Sequence, residues 1–231
     1  LHHDIEPTND GTILAIAQED VNGFRPDVVL EILPIGLNDA EILWTWRVFD
    51  HMSDDVYNPY TFYSGAGIET SSISESDWNH FNAISLNDSN EILLCSRNWN
   101  EIYVIERGGN SDILYRWGNP SNYGLSGNQI IPNAVHDIRW IENDGRPYGG
   151  YLQIFNNKGI NNTQSTVDVF LAPLDSINGN NYLRTSGQSF GPTSYDSRYV
   201  CQYSAPGQSA SDRMSNGNIF VNTSGGQGGA G

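Results

Sequence analysis

The chain of 231 residues is poor in cysteine and in positive charge. Both shortages exclude some classes of function. Cys95 and Cys201 are its only cysteines, so one disulfide or two buried free thiols remain equally open, and no zinc-finger spacing exists. Lysine and arginine number 11 against 27 acidic residues, which gives a net charge of −16. Because phosphate contacts need a basic surface, this balance argues against a nucleic-acid partner.

Long apolar runs and long stretches of helix-forming residues are also missing. A membrane-spanning helix needs about 18 or more apolar residues in a row, so no membrane span is expected, and no signal peptide is visible. The chain opens directly on the motif LHHDI, and we expect it to start within a domain that lacks its natural N-terminal part. Glycine (24), tyrosine (12) and tryptophan (6) are frequent instead, which favours many short β-strands.

One pattern recurs along the chain: an apolar strand, a turn built from Asn, Asp or Gly, and a second apolar strand. It begins at His2, His80, His136 and Ser211. Asn-Gly and Asp-Gly pairs supply the positive φ angles of tight hairpins. Alternation with a period of two predicts further strands over residues 41–49, 101–107 and 113–118.

The spacing of the repeats predicts an all-β fold of the β-propeller type. His3 and His80 are 77 residues apart, and His80 and His136 are 56 apart. Blades take about 40 to 50 residues each, so the chain accounts for about five. We expect a single propeller domain over residues 1–231, a long loop over 54–76, and a Gly-rich end at 224–231 that is either an interrupted turn or a flexible tail.

The chain has only five histidines, and three of them occupy equivalent positions in the repeat. These are His3, His80 and His136, which open the first strand of successive hairpins. In a propeller such strand starts point to the central axis, so the three side chains would converge. Arg97 ends the strand that leaves the His80 hairpin, and its planar guanidinium suits sulfate or carboxylate oxygens. The alternatives are structural hydrogen bonds between blades for the histidines and a surface ion pair for Arg97.

Other catalytic patterns are missing from the sequence. It contains no HExxH, paired CxxC, phosphate-loop or G-x-S-x-G motif. The acidic turns lack the spacing of an EF-hand, so no metal site is expected. A sugar-binding or hydrolytic propeller would need a carboxylate pair at its axis, for which Asp4 and Asp137 are the only candidates.

The block DWNHFNAISLNDSNEILLCSRNWNEIYVIER, from Asp77 to Arg107, resembles the signature region of the arylsulfotransferases that work without a nucleotide sulfate donor. Further blocks resemble the same family in the same order: LHHDIEPTNDGTILAIA, EILWTWRVFDHM, ILYRWGNPSNYG, VHDIRWIENDG with GGYLQIFNN, and DRMSNGNIF with SGGQG. The resemblance covers nearly the whole chain. It implies a six-bladed propeller, incomplete in this chain, that is secreted to the periplasm or outside the cell.

The resemblance also implies a reaction and roles for individual residues. Sulfate passes from an aryl sulfate to a phenol through a sulfated histidine, with no cofactor. The HD motif of the nucleophile matches His136 and Asp137. The sulfate-binding histidine matches His80, and the arginine of the SR block matches Arg97.

The remaining residues of the site follow from the same resemblance. A further pocket histidine matches the HHD block at His2 or His3, and His3 is preferred because it shares the H-D-I pattern with His136. Asn82, in the H-x-N motif, is expected to support the site together with Asp137.

A non-catalytic extracellular propeller, acting as a binding or self-assembly module, is the alternative function. At about five blades, the chain is expected to be shorter than a full family member and to lack an N-terminal β-sandwich-like region. Open blade edges could pair with strands of a neighbouring chain and give a homo-oligomer. The loops over 54–76 and 182–199 are expected to determine which phenol binds. Their Tyr and Ser residues form no pattern that identifies it.

Overall fold

The computed structural model describes residues 1–63, 77–125, 129–175, 177 and 181–224. Most of the predicted 54–76 loop and nearly all of the Gly-rich end lie outside these residues. Two four-residue 3-10 helices are present, η1 (Val48–His51) and η2 (Pro120–Tyr123). The strands are β1 (Ile5–Pro7), β2 (Ile13–Gln18), β3 (Asp27–Ile35), β4 (Asp39–Arg47), β5 (Met52–Ser53), β6 (Phe62–Tyr63), β7 (Phe81–Leu86), β8 (Glu91–Ser96), β9 (Glu101–Glu106), β10 (Ile113–Gly118), β11 (Val135–Trp140), β12 (Leu152–Ile160), β13 (Gln164–Phe170), β14 (Leu174–Asp175), β15 (Asn181–Tyr182), β16 (Ser197–Val200), β17 (Ala210–Arg213) and β18 (Ile219–Asn222).

Three four-stranded antiparallel sheets dominate the fold. The first sheet has the order β1-β2-β3-β4, the second β7-β8-β9-β10, and the third β11-β12-β13-β16. Strands β17 and β18 form a separate hairpin, which we call the fourth hairpin. None of these sheets closes on itself within the described ranges, and the all-β prediction is confirmed. Within the same ranges, no helix is long and apolar enough to cross a bilayer.

The predicted hairpin turns join the first two strands of their sheets. Asn9-Asp10-Gly11 connects β1 to β2, and Asn87-Asp88-Ser89 connects β7 to β8. Asn216-Gly217 connects β17 to β18, with Gly217 at a φ of 87°. A positive φ of this kind favours glycine, because a side chain would crowd the backbone.

Two details differ from the sequence predictions. The strand predicted over 41–49 runs from Asp39 to Arg47, because Val48 and Phe49 turn into η1. The predicted loop over 54–76 contains β6, which pairs in parallel with β5. Such a two-residue pairing is set by tertiary contacts and leaves no alternation in the sequence to detect.

The apolar core lies between neighbouring sheets, and the second sheet is covered on both faces. Ile92 and Leu94 belong to the core shared with the first sheet. Leu93 and Cys95, which alternate with them along β8, belong to the core shared with the third sheet. Burial on both faces explains why β8 is a nearly continuous apolar run, where a half-exposed strand would alternate apolar and polar residues.

The first strands of the three sheets and of the fourth hairpin contact one another in the order β1, β7, β11, β17. Polar side chains link these strands to the backbone of their neighbours. The Asp4 carboxylate accepts the Ile84 N–H at 3.1 Å, and the Asn82 amide donates to the Val135 carbonyl at 2.9 Å. The starts of these strands are therefore brought together at one place.

The two cysteines do not form a disulfide with each other in the structure. Cys95 and Cys201 are both buried and free. The Cys95 thiol donates to the Asn82 Oδ1 at 2.9 Å. Both cysteines thus serve as small buried side chains.

Candidate active site

The histidines that the repeat placed at strand starts lie next to one another. His3 precedes β1 by two residues, His80 directly precedes β7, and His136 is the second residue of β11. The ring centroids of His3 and His80 are 4.8 Å apart, and those of His80 and His136 are 6.0 Å apart. The convergence expected from the repeat is therefore found.

The backbone at these positions is held in an uncommon conformation. His3, His80 and Asp137 have φ angles of 61°, 51° and 50°. Residues with side chains rarely adopt positive φ, and such strain persists only where surrounding contacts enforce it. The pairing register shifts beside two of them, after Phe81 in β7 and after His136 in β11. Bulges of this kind often lie beside functional sites, where they redirect a side chain.

His136 is the most enclosed histidine of the cluster, with 5% of its surface exposed. Its Nδ1 lies 2.7 Å from the Asn157 Oδ1 and 2.9 Å from the Ala134 carbonyl oxygen. Burial lowers the pKa of the imidazole to about 4, and the positive charges of His80 and Arg97 add to this effect, while the two hydrogen bonds oppose it. His136 is therefore uncharged at neutral pH, as a nucleophilic imidazole must be.

His80 is paired with a carboxylate that the sequence analysis did not single out. Its Nδ1 lies 2.8 Å and 2.9 Å from the two carboxylate oxygens of Asp77. The carboxylate orients the ring, and an imidazole is a common general acid and base, so His80 is suited to giving and taking a proton. The spacing of three residues between Asp77 and His80 was visible in the sequence, but it pointed to no contact.

Arg97 lies immediately after β8, and its backbone N–H donates to the His80 carbonyl at 3.1 Å. One guanidinium nitrogen donates to the Asn98 Oδ1 at 3.0 Å. In the described part of the chain no carboxylate lies within 4.0 Å of the guanidinium, so the surface ion pair considered as its alternative is not observed there. Among the described residues its guanidinium has no other hydrogen-bond partner, so the remaining donors can bind an anion.

His3 is the more exposed of the first two histidines and His2 the more buried. Their Nδ1 atoms are 2.5 Å apart, and the His2 Nε2 lies 3.1 Å from the Oδ1 of buried Asp27. Partial burial lowers the pKa of His3, and neighbouring His80 and His2 lower it further. His3 contacts His80 directly, while His2 joins the cluster through His3.

Asn82 and Asp137 link neighbouring sheets through hydrogen bonds. The Asn82 side chain links Cys95 to the third sheet through Val135. Asp137 binds Arg139 at 2.6 Å and accepts the Ser211 N–H of the fourth hairpin at 2.5 Å. Burial raises the pKa of Asp137, and Arg139 opposes that effect.

The carboxylate pair that a hydrolytic propeller would need is already engaged. Asp4 accepts N–H groups from Ile5 and Ile84, and Asp137 is bonded to Arg139 and Ser211 as described above. Within the described ranges, no group of three or more His, Cys, Asp or Glu side chains could hold a metal ion.

A cavity of about 670 Å³ lies away from the histidine cluster. Asp50, His51, Tyr60 and Asp112 are among the residues that line it, and no lysine or arginine does so. Two carboxylates without a cation would repel a sulfate ester. The cavity therefore does not compete with the histidine cluster as a site for an anionic substrate.

Comparison with known proteins supports the resemblance seen in the motifs. The sequence model described as Arylsulfotransferase (ASST) matches residues 1–185. No curated protein and no solved structure matches the chain. The matched range includes the histidine cluster and Arg97, and it extends over well more than half of the chain. The chain therefore belongs to the arylsulfotransferase (ASST) family.

Proposed function

We propose that this protein transfers a sulfate group from an aryl sulfate to a phenolic acceptor through a sulfated His136. The observation that carries the proposal is a buried, uncharged imidazole at His136 beside His80 and Arg97. Membership of the family supports arylsulfotransferase-like activity, with aryl sulfates and phenols as substrates.

In the first half-reaction, the lone pair of His136 attacks the sulfur of the aryl sulfate. A bond forms between nitrogen and sulfur, and the bond between sulfur and the aryl oxygen breaks. The leaving phenoxide takes the electron pair of that bond and receives a proton from His80, the ring that Asp77 orients. An uncharged nucleophile suits this step, because the anionic ester repels negatively charged attackers.

Hydrogen-bond donors around the sulfate stabilise the charge that gathers on its oxygens. Arg97 offers a planar fork of donors, and His3 faces the same space from the first sheet. Because the whole chain carries a net charge of −16, these few groups must provide the local attraction for an anionic substrate.

In the second half-reaction, the acceptor phenol gives its proton to His80 and attacks the sulfur. The bond between His136 and sulfur breaks, and the imidazole recovers its lone pair. Donor and acceptor therefore use the same site in turn, and ping-pong kinetics are expected.

The fold proposed for the whole chain is a single β-propeller domain of the six-bladed type over residues 1–231, with about five blades represented. Three four-stranded sheets and the fourth hairpin support it, since their first strands lie side by side. A secreted location, in the periplasm or outside the cell, is proposed from the family resemblance.

The proposed reaction is tested with p-nitrophenyl sulfate as donor and a phenol as acceptor. We expect transfer of sulfate by the unmodified protein and, with donor alone, a mass increase of one sulfo group on the peptide that contains His136. His136→Gln should abolish both. His51→Gln is the matched control, because His51 stacks on Trp46 away from the cluster. Absence of turnover and of the sulfo adduct in the unmodified protein would refute the proposal.

A binding or self-assembly module remains the second candidate function, and exposed apolar side chains on edge strands favour it. Ile42 and Leu43 on β4 are 58% and 49% exposed, and Phe220 on β18 is 57% exposed. Light scattering at several concentrations tests this role. A concentration-dependent oligomer that dissociates on Phe220→Ser would support it, and a monomer throughout would oppose it.

A further inference from the structure

The ring of His136 is held by three hydrogen bonds whose donors and acceptors can be assigned. The key is the side chain of Asn157, which is fully buried in β12. Its Nδ2 donates to the Ala205 carbonyl at 3.0 Å and to the Gln208 carbonyl at 2.8 Å. Because only the NH2 group of an amide can donate twice, the Oδ1 must be the atom that faces His136.

The protonation of the two ring nitrogens follows from their partners. Nδ1 faces two acceptors, the Asn157 Oδ1 at 2.7 Å and the Ala134 carbonyl at 2.9 Å, so it must carry the proton. Nε2 receives the backbone N–H of Gln208 at 3.2 Å, so it must carry the lone pair. The three contacts agree on one tautomer of the neutral ring.

We propose that Asn157 is a positioning residue that fixes His136 as the Nδ1–H tautomer. Nε2 is then the nucleophilic atom that forms the bond to sulfur. This inference rests on the proposed function and names a residue that the sequence analysis did not identify. The amide is anchored at both ends by buried contacts, so the ring need not reorient before it reacts.

The same contacts assist the attack itself. As Nε2 forms its bond to sulfur, the ring gains positive charge, and the Nδ1–H becomes a stronger donor to Asn157 and Ala134. The Gln208 N–H has to release Nε2 at that moment, and at 3.2 Å it lies at the long end of hydrogen-bond distances.

The contrast with His80 explains why an amide is used. The His80 Nδ1 faces a charged partner, the carboxylate of Asp77. A carboxylate beside His136 would favour protonation of Nε2 and remove its lone pair. The neutral Asn157 orients the ring without this effect. The different partners, Asn157 and Asp77, therefore suit His136 to nucleophilic attack and His80 to proton transfer.

Nitrogen-15 NMR of histidine-labelled protein tests the tautomer without any substrate. Two-bond proton–nitrogen correlations distinguish the two neutral forms, and His136→Gln identifies the signals of His136. We expect a neutral Nδ1–H ring at pH 7, and an Nε2–H ring or an imidazolium would overturn the inference. If the expected tautomer were found in a protein that forms no sulfohistidine, the proposed function would fail and the tautomer assignment would stand.

Asn157→Asp tests whether the residue acts through the ring. The charged groups that already face His136 are His80 and Arg97, and the new carboxylate would add an opposing charge. We expect the acid limb of kcat/KM to move upward by one pH unit or more. A merely structural role would lower activity without moving the limb, and that result would contradict the inference.

Asn133→Asp is the matched control, because it makes the same change three residues before His136. The Asn133 side chain donates to the Asn162 Oδ1 at an exposed position. Its acid limb should stay within a few tenths of a pH unit of that of the unmodified protein. If Asn157→Asp fails to fold, as judged by circular dichroism, the NMR measurement on the unmodified protein decides alone.

Discussion

Each histidine in the cluster meets a different kind of partner at its ring nitrogens, and that partner sets its chemistry. His136 meets an amide and a carbonyl, His80 meets a carboxylate, and His2 meets His3 and Asp27. In the proposed mechanism, the same side chain therefore serves nucleophilic attack in one place and proton transfer in another. Opposed environments around similar groups commonly mark the separate acid and base roles of an active site.

The buried His136 makes a testable contribution to acid sensitivity. Its pKa is lowered from 6.5 to about 4 in the folded protein, so between these values the unfolded chain binds a proton that the folded chain does not. The free energy of unfolding should therefore fall as pH drops from 6.5 towards 4, with a loss of up to about 3 kcal/mol from this residue. Urea unfolding of the unmodified protein and His136→Gln at pH 7 and pH 4.5 checks this. Equal losses in the two proteins would contradict it.

Sequence reasoning located the histidines but missed residues that contact their rings. His3, His80 and His136 stand at equivalent places in a visible repeat, so their convergence could be predicted. Asn157 and Gln208 have no such marker, because their contacts depend on the register of β12 and on the path of the chain before β17.

At the scale of the sheets, side-chain carboxylates bond to the backbone of the neighbouring sheet. Asp27 of β3 accepts the Phe81 N–H of β7, and Asp4 accepts the Ile84 N–H. Asp137 repeats the arrangement with Ser211. These contacts set the positions of the strand starts from which the histidines project.

Removal of the Asp27 carboxylate should weaken the contact between the first two sheets. Asp27 is fully buried, so Asp27→Ala leaves the Phe81 N–H without its partner, and a loss of about 1 to 3 kcal/mol in the free energy of unfolding is expected. Asp20→Ala serves as the control, because the Asp20 carboxylate is largely exposed and lies 4.0 Å from Arg25. Urea denaturation measures both, and a loss at Asp27 no larger than at Asp20 would argue against the role.

A buried ion pair links β9 to β10. Arg116 and Glu101 are both fully buried and form two hydrogen bonds of 2.8 Å. Arg116→Met leaves the buried Glu101 carboxylate without its charged partner. It should lower the free energy of unfolding by about 3 to 5 kcal/mol. Adding Glu101→Gln removes that charge and should recover part of the loss. A double-mutant cycle without coupling would show that the pair contributes nothing.

Some strands could be predicted from the sequence, and some strand pairings could not. β10 was predicted with its observed bounds because its large buried residues Ile113, Tyr115 and Trp117 recur with a period of two. The pairing of β16 with β13 was not predicted, because it skips the intervening β14–β15 hairpin. Such long-range pairings depend on packing that leaves no local pattern.

Across the whole molecule, the two thiols can report on global unfolding. Burial raises the pKa of the Cys201 thiol to about 11 and that of Cys95 further still, which suppresses the reactive thiolate. A chromogenic thiol reagent should label neither cysteine in the folded protein and both in guanidinium. Reducing agent should leave Tm unchanged, and a drop in Tm on reduction would instead reveal a disulfide.

The candidate site is assembled from parts of the chain that are far apart in sequence. His3 precedes the first sheet, His80 and Arg97 flank strands of the second, His136 and Asn157 belong to the third, and Gln208 leads into the fourth hairpin. No sheet by itself carries the set of groups that the proposed reaction needs. The rate of sulfate transfer should therefore depend strongly on how the sheets are positioned relative to one another. On heating, it should disappear before the β-sheet signal in circular dichroism, because a small slip between intact sheets already separates nucleophile, proton donor and anion site.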